Sequence, residues 1–136
     1  MTPNEARRLF AEARVAHLAT VDAAGSPHVV PITFALDGET LVTAVDAKPK
    51  LGTPLRRFAN VAINARVSVL VDAYDEDWTR LWWARADGDA AILDSGPALD
   101  RALAQLRARY GQYADVGLTG PALQISIDRW SGWSWA

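Results

Sequence analysis

Cysteine is absent from this chain, which excludes disulfides, thiolate nucleophiles and thiolate metal centres. Histidine is almost absent: His17 and His28 are the only two, too few for a three-histidine site. No apolar run approaches the roughly 20 residues of a membrane helix, and the N-terminus lacks a signal-peptide core. The expectation is a soluble, cytoplasmic protein with no membrane partner. A basic surplus is lacking too. The 14 Lys and Arg residues stand against 16 Asp and Glu, a formal net charge of −2, which argues against a general nucleic-acid binder. There is no Gly-x-Gly-x-x-Gly, no phosphate loop, no Gly-x-Ser-x-Gly and no His-Glu-x-x-His. Asp72, Asp75 and Asp77 are spaced like part of a calcium loop, but its glycine and terminal glutamate are missing, so they read as a solvated acidic turn. An enzyme made from this chain would need a cofactor for the difficult chemistry.

What is present suits a packed domain. The 136 residues are 50% hydrophobic and 22% charged, which predicts a single globular domain over 1–136. Thr2-Pro3-Asn4-Glu5 is a capping box, and Ala6, Leu9, Phe10 and Ala13 follow at helical spacing, predicting a helix over 2–14. The period then becomes two. Strands are predicted at Val15–Asp22, His28–Leu36 and Thr40–Asp46, joined by Ala24-Gly25-Ser26-Pro27 and by the hairpin signal Asp37-Gly38. Ala47–Asn60 reads as a loop and a short helix, followed by strands at Val61–Ala65 and Arg66–Asp72. Leu81–Leu93 reads as a long strand with Gly88 at a bulge, residues 97–110 as a helix ended by Gly111, and Leu123–Trp130 as the last strand. Both alternating sets of Val15–Val21 are largely apolar, which argues for closure into a small barrel without free edges, and His17, sharing a face with Val15, Ala19 and Val21, reads as buried core. The predicted fold is α+β dominated by β, a six- to seven-stranded antiparallel barrel with flanking helices.

Three signals bear on function. Between Asp46 and Asp72 there is no acid, yet Lys48, Lys50, Arg56, Arg57 and Arg66 fall there, including the only two lysines of the chain. Charge alone is served equally by a solvated face. The functional alternative is an anion site, since Lys and Arg near a helix start, with its free N–H groups, suit phosphate. Pro31 sits within a strand, where it cannot donate a ladder hydrogen bond. It marks either a plain edge or a place where the sheet opens to a flat ligand. Six tryptophans complete the set, with Trp78, Trp82 and Trp83 in one cluster and Trp130, Trp133 and Trp135 in another. Trp82 and Trp83 must face opposite sides of their strand. An outward tryptophan implies a subunit interface or a ring-binding cleft, whereas core packing suffices for any single one.

The helix, the stretch ARVAHLATVDAAGSPHVVPITFALDGETLVTAVD, the basic loop and NVAINARVSVLVD together resemble the split-barrel flavin and deazaflavin oxidoreductases related to pyridoxamine-phosphate oxidase. YDEDWTRLWWARADGDA and DRWSGWSWA are similar to a subgroup that uses the deazaflavin coenzyme F420. The resemblance implies a split barrel, a homodimer, and two cofactor sites at the subunit interface. It implies a cofactor ring near Val30, Pro31, Ile32 and Thr43, and a phosphate held by Lys48, Lys50, Arg56 and Arg57, with Trp78 as a wall for the ring. Arg57 stands where the family usually has lysine, which keeps the charge and adds a fork. The implied activity is hydride transfer between coenzyme F420 and a small organic substrate, with no catalytic side chain and no metal. FMN is the alternative cofactor. A non-catalytic module for flavin, deazaflavin or haem, and a barrel that serves only structure or interaction, are the rival classes.

Overall fold

A computed structural model describes residues 1–45 and 55–135. Helix α1 (Pro3–Glu12) starts at the Thr2 cap, with Glu5 reaching back to complete the capping box, and buries Ala6 and Phe10. It ends two residues before the predicted boundary, where Ala13 turns extended. Strands β1 (Ala16–Val21), β2 (Pro27–Ile32), β3 (Ala35–Asp37) and β4 (Thr40–Ala44) follow, then α2 (Arg56–Ile63), β5 (Arg66–Ala73), β6 (Trp82–Leu93), α3 (Pro97–Arg109) and β7 (Ala122–Ser134).

The seven strands form one antiparallel sheet in the order β2-β1-β5-β6-β7-β4-β3. The two outermost strands, β2 and β3, are consecutive in the chain, with only Thr33 and Phe34 between them. So short a link forces the sheet to curl until its edges approach. The result is a curled half-barrel with three α-helices among the described residues, a split-barrel α+β fold. Phe34 fixes the crossing: it is fully buried and packs edge-on against Phe10 with centroids 5.6 Å apart. Its N–H donates to the Tyr110 hydroxyl at 3.2 Å, and its carbonyl accepts from Arg109. The main core (Leu18, Ile32, Leu41, Val69, Val71, Ile125) lies inside the curl under α1 and α2. A second core between α3 and β4 holds Val42, Leu99, Leu103, Leu106 and Tyr113.

Several local expectations are corrected. The strand foreseen at His28–Leu36 is two strands, because the chain leaves β1 after Ile32 and joins β4 from Ala35. Pro31 is accommodated because β2 is an edge. Val61–Ala65 is not a strand. Val61 belongs to α2, where Phe58 and Val61 are buried three apart and Asn60 donates from Nδ2 to Thr20 Oγ1 at 2.9 Å. His17 is exposed rather than core, since the buried set of β1 is Ala16, Leu18 and Thr20. The last strand does not stop at Trp130 but runs to Ser134, with Trp133 opposite Trp83. The bulge does fall at Gly88, where the register shifts and Asp128 is the extra residue. A Cβ on Gly88 would lie 2.2 Å from the Ser126 carbonyl oxygen, so only glycine fits.

Candidate functional site

The end of β2, the crossover, β4 and the start of α2 meet at one open cleft of about 220 Å³. Its lining includes Pro31, Ile32, Thr33, Thr43, Arg57 and Tyr113. The β2–β3 crossing creates it: a strand that leaves its neighbour after Ile32 cannot cover the surface beyond. Thr43 is buried, and its hydroxyl donates to the Thr33 carbonyl at 2.7 Å, tying β4 to the crossover. The Thr33 and Tyr113 hydroxyls are 2.6 Å apart and close the cleft on the α3 side.

Arg57 brings the charge. Helix α2 starts after Leu55 with no side-chain cap and no acidic residue in its first turn. Arg56 and Arg57 occupy that turn instead, at the positive pole of the helix. Cations there are unfavourable by roughly 0.3–1 kcal/mol each, and an anion reverses that sign. Arg57 also lies over the Phe58 ring, 5.7 Å from its centroid, which orders its stem.

Among the residues anticipated from sequence, Pro31, Ile32, Thr43 and Arg57 share this cleft. Val30 shares the inner face of β2 with Ile32 and packs against the main core, outside the lining. Arg56 is exposed at the start of α2, outside the lining. Trp78 is 58% exposed in a 3-10 turn (Trp78–Arg80) between β5 and β6, also outside the lining. His17 faces Leu70, so the end of β5 that leads to Trp78 lies beside the start of β1, the end of the sheet where the cleft opens. Lys48 and Lys50 lie outside the described residues. Arg66 leaves the basic group, because it pairs with Asp89 at 3.5 Å and forks onto Asp128, with Asp128 Oδ1 at 2.8 Å. Hydrogen bonding to Asp128 raises the Arg66 pKa and, reciprocally, lowers that of Asp128. Thr33 and Tyr113 were not anticipated. Tyr113 has one signal in sequence, its spacing of three from Tyr110 past the end of α3.

Neither histidine lines the cleft, and among the described residues no group of three or more His, Asp or Glu is placed to hold a metal ion. No helix among them is long and apolar enough to cross a membrane. The outer face of the sheet is partly apolar. Val29 and Trp133 are exposed there, and Trp83 lies under the Arg85 guanidinium at 5.4 Å. Ser131 Oγ on β7 is buried without a hydrogen-bond partner, and opposite it on β6 Arg85 Nε is buried with only an ion pair to Asp87 at 3.4 Å.

The family model described as pyridoxamine 5′-phosphate oxidase matches residues 2–134. No curated protein matches the chain. Among solved structures, the chain is similar to an FAD-binding protein from Mesorhizobium loti, with 22% identity, TM-score 0.76, and coverage of 97% of this chain and 94% of that one. It is similar to HutZ, a haem storage protein from Vibrio cholerae, at 21% identity and TM-score 0.70, covering 96% and 90%. An FAD-binding protein from Mycobacterium smegmatis aligns at 16% identity and TM-score 0.63, covering 98% and 94%. At these identities the likeness is one of fold.

Proposed function

The chain belongs to the pyridoxamine 5′-phosphate oxidase family, and from that premise we propose that its cleft binds a flavin-type cofactor for hydride exchange with a small organic substrate. The observation that carries this reading is Arg57 in the uncapped, acid-free first turn of α2, lining the same cleft as Pro31, Ile32 and Thr43. A planar ring with a phosphate-bearing arm needs such a pair: a flat wall and a cationic anchor a short way off. Residues 31–33 would form the wall, Thr43 would hold that wall in place through the Thr33 carbonyl, and Arg57 would take the phosphate. When bound, the cofactor supplies the two-electron chemistry that no side chain here offers. No side chain is assigned a catalytic proton.

The proposed cofactor is coenzyme F420, whose polyanionic tail suits the acid-free basic stretch from Lys48 to Arg57. FMN is the second reading, favoured by the same phosphate anchor. Haem has less support: among the described residues the one haem-ligating side chain type in the lining is Tyr113, and its hydroxyl is engaged with that of Thr33 at 2.6 Å.

The functional unit is proposed to be a homodimer. At about 220 Å³ the cleft is below the roughly 300–1,000 Å³ of enclosing ligand sites, so one chain offers a wall rather than a chamber. The partly apolar outer face, where the buried Ser131 hydroxyl has no hydrogen-bond partner, is the surface proposed to meet a second copy.

Titration of the purified protein with F420 and with FMN, followed by tryptophan emission, tests the reading. Saturable quenching, tighter for F420, is expected. Tighter binding of FMN, or a yellow protein on purification, transfers the assignment to FMN. Binding of neither removes the cofactor reading.

A further inference from the structure

Beyond the Thr33–Tyr113 hydroxyl pair lies a second cavity, of about 320 Å³, lined by Arg14, Thr33, Tyr110, Gln112, Tyr113 and Val116. It shares Thr33 and Tyr113 with the first cleft, so one pair of side chains divides the two. Its volume is within the range of small-molecule sites. We propose that this cavity is a substrate subsite for a planar aromatic carboxylate, with Arg14 as the anchor of the carboxylate. The proposal rests on the cofactor reading for its role, since it is proximity to that cleft that makes a ligand here a substrate.

Charge carries the argument. Among the described residues Arg14 has no carboxylate within ion-pairing distance, and only one of its guanidinium donors is engaged, to the Arg109 carbonyl at 2.9 Å. The guanidinium lies 4.5 Å from the centroid of the Tyr110 ring, and a second one, that of Arg109, lies 5.4 Å from the same ring. Arg109 also lacks an acidic partner among those residues. Its donors go to the carbonyls of Phe34, Ala11 and Ala13. Its pKa is lowered, first by burial, with the nearby Arg14 charge acting in the same direction. Two like charges over one ring, without a counter-charge, leave a local excess that an anion would relieve.

Preorganisation separates this arginine from an ordinary solvated one. The Tyr110 hydroxyl reaches the Arg14 carbonyl at 2.8 Å, and the ring supports the guanidinium from below. A fork held in place loses little freedom on meeting a carboxylate. The shape selects a flat ligand: Tyr110 and Tyr113 pack edge-to-face at 81°, and Val116 adds an apolar rim. Gln112 supplies an amide able to pair with a ring substituent.

The test uses 2-naphthoate and its neutral isostere 2-naphthamide, titrated by calorimetry into the full chain, with and without F420 or FMN. Naphthoate is expected to bind at least tenfold more tightly than naphthamide, and Arg14→Gln to abolish that preference. Because Arg14 also bonds α3, Val116→Glu provides a second arm: an acid on the exposed rim should weaken naphthoate tenfold and leave naphthamide unchanged. Cofactor affinity should be unaltered in both variants. Equal binding of the two probes, or a preference that survives in both folded variants, overturns the proposal. So does competition between naphthoate and cofactor, which would make the cavity part of the cofactor site. Arg14-dependent binding of naphthoate to a protein that takes neither cofactor would retain the anion site, remove its role as a substrate subsite, and mark failure of the cofactor reading alone.

Discussion

Arg57 is the residue on which the cofactor assignment turns. A charge-assisted hydrogen bond is worth roughly 1.5–3 kcal/mol, so Arg57→Ala should weaken cofactor binding by about that amount. The loss should shrink as salt is raised, because exposed charges are screened. A dissociation constant that does not move would remove Arg57 from the site. Trp78 offers a complementary readout. It is exposed, so Trp78→Ala should fold as the parent does; if its ring adjoins the bound chromophore, part of the tryptophan quenching disappears with it. Full quenching in that variant would return Trp78 to an ordinary surface role. Pro31 and Arg57 were legible in sequence because each breaks a local rule: a proline within a strand, and cations at the start of a helix. Thr33 and Tyr113 break no local rule. Their contact joins positions 80 residues apart, and only the folded chain brings it about.

Among elements, the bulge between β6 and β7 is the most exacting. Gly88→Ala drives a methyl group against the Ser126 carbonyl, and overpacking of this kind costs roughly 1–3 kcal/mol, measurable as a lower denaturation midpoint. The same bulge projects Asp128 toward Arg66. The hydrogen bond from Arg66 holds the Asp128 carboxyl below its unfolded value of about 3.9, so its contribution is fully present above that pH and is lost as pH falls through the folded pKa. Asp128→Asn should therefore be less stable than the parent at neutral pH, with the difference closing in acid. A gap independent of pH would contradict that account. The long strand at Trp82–Leu93 and the helix at Pro97–Arg109 were legible because their periods are sustained. Val61 misled because a β-branched residue in a short segment fits either period, and only burial with Phe58 decides for the helix. His17 misled because both faces of β1 are apolar, so alternation could not say which set is buried.

For the whole molecule, the expected assembly is a dimer of roughly 30 kDa, twice the 14.8 kDa chain, with the outer sheet faces in contact. Light scattering that gave the monomer mass at micromolar concentration would contradict it, and Trp133→Glu on that face should shift the equilibrium toward monomer. The curling of the sheet was legible from the doubly apolar strands, although it stops at a half-barrel with β2 and β3 as edges. The order of the strands was not, because nothing local tells β7 to insert between β6 and β4. That insertion has a consequence for synthesis. The β3–β4 hairpin reaches the rest of the sheet only through β7, so Leu41 and Val42 stay without their partners Ile125 and Gln124 until the strand at Ala122–Ser134 has left the ribosome. At roughly 5–20 residues per second the emerging chain holds this hairpin exposed for seconds. The nascent protein thus passes through an obligatory interval of stickiness, during which its own last strand competes with chaperones and with neighbouring polypeptides for the same open edge.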